Sequence, residues 1–233
     1  AIGQGTSLSL IAVGKNATFN TGAYNINSSS ISAASGSEFN LGNNTVSGNV
    51  ALTGATMNFS NSDNIVIGNV LSNGGSTLDL GVGKHTVDGN LTVNGTDTVK
   101  ITANAGNYGS LSVTGGVVNI AQGASLNIAI DSRLAYAAAG SSYNIITGDA
   151  GSAINVVEDS NIKVNTLGSN RMGLLTFKSS VSDNKLIMTI SKDEASQVTS
   201  NQSSQASYNA INAAGANATG ELKAVQDFPS FHR

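Results

Sequence analysis

His85 and His232 are the two imidazoles of this chain, and it contains no cysteine. That absence removes disulfides, thiolate nucleophiles, thiolate–zinc sites and redox pairs together. His85 lies in Gly81-Val82-Gly83-Lys84-His85-Thr86, which has the outline of a phosphate loop. Such a loop needs Gly at position 78, which is Leu, and Ser or Thr after the lysine, where His85 stands. The segment therefore reads as a corner carrying a solvated Lys84–His85 pair. One histidine and scattered aspartates do not make a metal site, because imidazole sites use clustered ligands.

Gly74-Gly75-Ser76-Thr77-Leu78-Asp79 matches a calcium-binding nonapeptide only in outline. The third glycine is missing, and neighbouring segments do not repeat the aspartate. Asp63, Asp79, Asp88 and Asp97 are staggered so that no two face each other, as glycoside hydrolysis would require; they read as isolated solvated charges, and Arg133 is the first arginine. No Gly-x-Ser-x-Gly elbow is present. Asn-x-Ser/Thr triplets such as Asn16-Ala17-Thr18 follow from composition. The expectation is a protein that is not an enzyme, with no catalytic, cofactor-binding or metal-ligating residue and no cofactor.

Elements that position side chains show in a repeat. Val46-Ser47-Gly48-Asn49-Val50, Val66-Ile67-Gly68-Asn69-Val70 and Val87-Asp88-Gly89-Asn90-Leu91 share a pattern, spaced 20 and 21 residues apart. A degenerate copy stands at Ile26-Asn27-Ser28. Apolar–polar–apolar triplets run in step: Phe39-Asn40-Leu41, Met57-Asn58-Phe59, Leu78-Asp79-Leu80, Val99-Lys100-Ile101 and Val118-Asn119-Ile120. Period-two alternation marks short half-buried strands, and the Gly-Asn and Gly-Gly pairs between them supply sharp corners. Several strands per 20-residue unit predict an all-β fold, a right-handed parallel β-helix. The register predicts an inward column of Val50, Val70, Leu91 and Leu111, and an outward one of Asn40, Asn58, Asp79, Lys100 and Asn119. Asp79 and Lys100 become neighbours, and stacked asparagines suit amide ladders. An antiparallel sandwich would explain the turns but not the constant spacing.

Residues 1–130 are expected to form the coils, 131–190 a β-rich cap, and 191–233 a flexible, partly helical linker. Arg133 to Gly140 reads as an Ala-rich turn into Tyr143-Asn144-Ile145-Ile146-Thr147-Gly148, after which the repeat dissolves. Strand-like runs follow at 153–157, 162–164, 174–177 and 185–190. In the last region Ala206, Ala210, Ile211 and Ala214, then Leu222 and Val225, recur at helical spacing, while Gly215 and Gly220 argue against one continuous helix.

Charged residues are only 11% of the chain, and 11 basic against 14 acidic groups give net −3, so no field attracts a nucleic-acid backbone. Hydrophobic residues at 39% are too many for disorder. No apolar run approaches the length that spans a bilayer. Ala1-Ile2-Gly3-Gln4-Gly5 does not read as a signal peptide and opens in mid-pattern, as expected of a piece of a longer polypeptide.

With its Asn/Gly/Ser/Thr-rich, Cys-free repeats, the chain resembles the C-terminal part of a bacterial autotransporter (type V secretion) passenger. The segment at Tyr143–Gly148, with Leu174-Leu175-Thr176-Phe177 and Leu186-Ile187-Met188-Thr189-Ile190, looks like that family's autochaperone region. The Ala/Asn-rich stretch after it looks like the linker to an outer-membrane β-barrel. Within the family the wording is most similar to rickettsial surface cell antigens of the outer membrane protein A and B type. The resemblance implies a bacterial cell-surface location, extracellular and either anchored or released by cleavage. It also implies adhesion to and entry into host cells through a surface protein or glycan, and a β-barrel partner of the same polypeptide. A pectin-lyase-like carbohydrate-active enzyme and a purely structural spacer or coat element are the alternatives.

Overall fold

The computed structural model describes residues 2–3, 5–59, 62–165, 168–194 and 201–214. The molecule is mostly β, with parallel sheets, one of them curled into a half-barrel. Alternating burial along each strand sends one set of side chains inward, as in Ser125–Ile130, where Leu126, Ile128 and Ile130 are buried between half-exposed neighbours.

Three parallel ladders run through the described residues. The first links residues 45–47 to Ile65–Ile67, Lys84–Asp88, Ser110–Thr114 and Ser142–Thr147. The second links residues 50–53 to Val70–Asn73, Leu91–Val93, Val118–Ile120 and Ala153–Ile154. The third runs from Thr18–Asn20 through Glu38–Asn40, Thr56–Asn58, Thr77–Asp79, Thr98–Asn104 and Ser125–Ile130 to Ile162–Val164. These pairings are parallel, so the sandwich alternative does not describe this part of the chain.

Inward columns follow from the ladders. Val46, Val66, Val87 and Val113 form one; Val50, Val70, Leu91 and Val118 form another. Phe39, Met57, Leu78, Val99, Leu126 and Ile162 form the third. All of these side chains are buried. A fully buried Val or Leu contributes about 1.5–3 kcal/mol, so such columns are the main source of stability.

Two column assignments from the sequence need correction. Leu91 pairs with Val118 and not Leu111, and Lys100 pairs with Asn127 and not Asn119. The cause is a lengthening of the repeat. Strand Thr98–Asn104 runs on into an antiparallel hairpin with Asn107–Tyr108, which pushes the next repeat to a spacing of 26 to 27 residues. The repeat does not dissolve after residue 130 either. Parallel pairing continues to Ile162–Val164 at spacings of 34 to 36 residues.

That longer excursion is a helix where the sequence suggested a turn. It spans Ser132–Ala137, and the Asp131 carboxylate caps it by accepting the Arg133 N–H at 2.9 Å. The two excursions pack together: the rings of Tyr108 and Tyr143 meet edge to face at 4.9 Å.

Beyond the last parallel strands the pairing reverses. Ser142–Thr147 is antiparallel to Lys185–Lys192, which pairs with Leu175–Ser182, which in turn meets Arg171–Met172. The hairpin between the two long strands turns on Asp183 and Asn184, both at positive φ. Strand pairing reaches Lys192, two residues past the expected end of the cap at residue 190. A helix at Gln202–Ala214 stands where the alanine spacing predicts one, with Asn201 Oδ1 accepting the Ser203 and Ser204 N–H groups. Leu222, Val225 and His232 lie outside the described residues.

Candidate functional site

The Gly-Asn corner shows what the repeated motif does. A Cβ on Gly68 would lie 2.5 Å from the Gly48 carbonyl oxygen, and one on Gly89 would lie 2.5 Å from that of Gly68. Their φ values of 140° and 148° are also closed to most side chains. The asparagine that follows links successive repeats. Asn49 Oδ1 accepts the Asn69 N–H at 2.9 Å, Asn69 Oδ1 the Asn90 N–H at 2.8 Å, and Asn90 Oδ1 the Val117 N–H at 2.9 Å. The motif is a structural joint.

On the outer face of the third ladder, Asn40 Nδ2 donates to Asn20 Oδ1 at 2.8 Å, and Asn58 Nδ2 donates to Asn40 Oδ1. The column continues with Asp79 and Lys100, joined at 2.6 Å, as the register predicts. This is an amide ladder closed by an ion pair. Lys100 is well exposed, so the pair contributes only tenths of a kcal/mol to about 1.

The aspartates fall on four different columns, and Asp63, Asp79 and Asp97 each accept backbone N–H groups. Asp97 is fully buried rather than solvated. Its Oδ1 accepts the Gly75 and Ser76 N–H groups, each at 2.9 Å, and its Oδ2 accepts the Asn94 N–H at 3.0 Å. The glycine pair with the outline of a calcium loop is thus held by a carboxylate of the next repeat. Asp63 Oδ1 accepts the Lys84 N–H at 2.8 Å, and Asp149 Oδ2 the Gly115 N–H at 3.0 Å.

His85 also departs from the sequence reading. Its ring is 2% exposed, faces inward and lies 4.9 Å from the Phe59 ring. Nε2 is 2.8 Å from the Leu80 carbonyl oxygen, to which it donates, and Nδ1 accepts the Asn64 N–H at 3.3 Å. Burial holds the imidazole below its ordinary value, against smaller opposing effects of the Leu80 hydrogen bond and the Asp63 charge. Strand alternation carried the missed signal: Val87 points inward, so His85, two residues earlier, must as well.

Open surface features lie elsewhere. A polar cleft of about 540 Å³ is bordered by Asp159, Asn170, Arg171, Lys178, Lys192 and Asp193. Within it Arg171 pairs with Asp193, which also accepts the Thr176 hydroxyl at 2.9 Å. Ile65, Ile67 and Leu71 form an exposed apolar set on one repeat.

Comparisons with protein-family models, with curated proteins and with solved structures find no match to this chain.

Proposed function

We propose that the chain is a right-handed parallel β-helix from the passenger of an autotransporter-type surface protein, acting in host-cell adhesion and entry without catalysis. The observation that carries this reading is the use made of its polar groups. Outward asparagines are closed into ladders, and the carboxylates of Asp63, Asp97 and Asp149 are spent on backbone N–H groups of adjoining repeats. A polysaccharide-cleaving site would need opposed carboxylates with free oxygens at a groove. Three parallel ladders visited in the same order by successive repeats support the β-helix, since right-handed crossovers are the rule for parallel connections.

In this reading residues 1–130 are passenger coils, 131–190 an autochaperone-like cap that nucleates folding during secretion, and 191–233 a linker toward an outer-membrane β-barrel. The antiparallel strands Leu175–Ser182 and Lys185–Lys192 support the cap assignment, because they end the parallel stack with a different pairing. The location is the extracellular side of a bacterial outer membrane, and the partner is a host-cell surface protein or glycan.

Binding of the purified chain to host cells tests the proposal. Saturable binding, with no release of reducing ends from polyuronides, is the expected result. Turnover that survives repurification and is lost on Asp88→Asn would overturn it in favour of an enzyme. A complete lack of cell binding would leave the spacer role.

A further inference from the structure

His85 belongs to an interior polar column at the corner leading from the third ladder back to the first. The register places Asn44, Asn64, His85, Leu111 and Ile146 in succession along it. The two asparagines and the histidine do the same work. Asn44 Nδ2 donates to the Tyr24 carbonyl at 2.8 Å, Asn64 Nδ2 to the Phe59 and Ser62 carbonyls, and His85 Nε2 to that of Leu80 at 2.8 Å. On the other side, Asn64 Oδ1 accepts the Asn44 N–H at 3.1 Å, and His85 Nδ1 accepts the Asn64 N–H at 3.3 Å. An amide offers this donor–acceptor pair at any pH. An imidazole offers it only when neutral.

We propose that His85 is an acid-operated latch, in which proton uptake at Nδ1 turns the acceptor of the Asn64 N–H into a donor, expels the ring and frees the corner at residues 62–65 and 80–84. Two N–H groups cannot share that contact, and among the described residues the ring lies against the Phe59 ring and Leu111, neither of which carries a lone pair to accept the new N–H. The charged groups on the surrounding elements are few. Asp63 precedes Asn64 and accepts the Lys84 N–H; Asp79 lies one strand back, paired with Lys100; exposed Lys84 adjoins the histidine itself. Strand Ser110–Thr114, on the following repeat, brings no charge. Asp63 is exposed and its charge acts on the ring, which makes it the partner for an expelled imidazolium.

The direction follows from linkage. The folded state holds the ring neutral, with its proton affinity lowered by burial, while the unfolded chain protonates it near the ordinary value of 6.5. The contribution of this corner to stability is therefore complete above that value. It is lost progressively as pH falls from there toward the lowered native value.

Hydrogen exchange of the Asn64 and Thr86 amides in the full chain, corrected for intrinsic rates, tests the latch between about pH 7.5 and 5. Protection should fall by up to about tenfold per pH unit below the ordinary imidazole value, one proton being linked. In His85→Asn, which extends the asparagine column by one member, the same amides should hold constant protection. Equal pH dependence in both proteins would overturn the proposal. Should the variant fail to fold, imidazole nitrogen resonances of the unsubstituted chain decide. Loss of Asn64 protection in step with Nδ1 protonation supports the latch, and protonation with that amide still protected overturns it.

Discussion

The early and late repeats differ at one corner and agree at another. Between the first and second ladders the glycine column runs unbroken through Gly48, Gly68, Gly89 and Gly116, because a side chain there would strike the repeat below. Between the third and first ladders the connection is short while the interior column reads Asn44, Asn64 and His85. It opens into a hairpin, then a helix, where the column becomes Leu111 and Ile146. The polar side chains satisfy the carbonyls of a tight corner. Once the column is apolar, the backbone must satisfy itself, and a hairpin or helix does so. Repeat length thus follows whether one inward position carries a hydrogen-bonding side chain or an aliphatic one.

The largest effect should come from removing the segment where the pairing reverses. Deleting residues 131–190 should abolish the cooperative transition seen by circular dichroism, since it strips the stack of its covered end. Deleting residues 1–36 should leave the remainder folded. Normal folding without the reversed segment would mean that the early repeats stand alone.

Next come substitutions inside the columns. Val70→Asp places an unpaired charge among Val50, Leu91 and their neighbours and should cost about 4 kcal/mol or more in urea unfolding. Asn64→Leu imitates the later repeats without their hairpin. It leaves the Phe59 and Ser62 carbonyls and the Asn44 N–H without their side-chain partner and should cost about 3 kcal/mol. A cost near zero would break the link between that column and corner length.

The glycine corner gives a graded contrast. Gly68→Ala meets both a carbonyl and a closed φ, and should cost about 2–4 kcal/mol. Gly75→Ala has open space and only a φ of 82° to contend with, and should cost about 1 kcal/mol. Smallest of all, Asn58→Ala on the outer amide ladder should lower the unfolding free energy from urea titration by under about 1 kcal/mol.

The sequence made the early spacing plain because Val-x-Gly-Asn recurs with its chemistry intact, and it paired Asp79 with Lys100 correctly. It misled at Leu111 and Asn119 because alternating aliphatic strands are interchangeable to the eye: Ser110–Thr114 and Val118–Ile120 fit the same template. The glycine column held the correct answer, since Gly116 follows Gly89 by 27 residues, but its partner motif had changed from Gly-Asn to Gly-Val. His85 and Asp97 were read as solvated because charge and polarity outweighed alternation. Their burial rests on backbone groups of adjoining repeats, and those partners are visible only once the register is known.

One measurement tests the lengthening repeat most directly. The chain has no cysteine, so engineered pairs report register without interference. Parallel neighbours lie about 4.8 Å apart, within reach of a disulfide. Lys100→Cys with Asn127→Cys should oxidise rapidly to an intramolecular disulfide in the folded protein, whereas Lys100→Cys with Asn119→Cys, the pair a constant 20-residue spacing requires, should stay reduced. The opposite outcome would contradict the account.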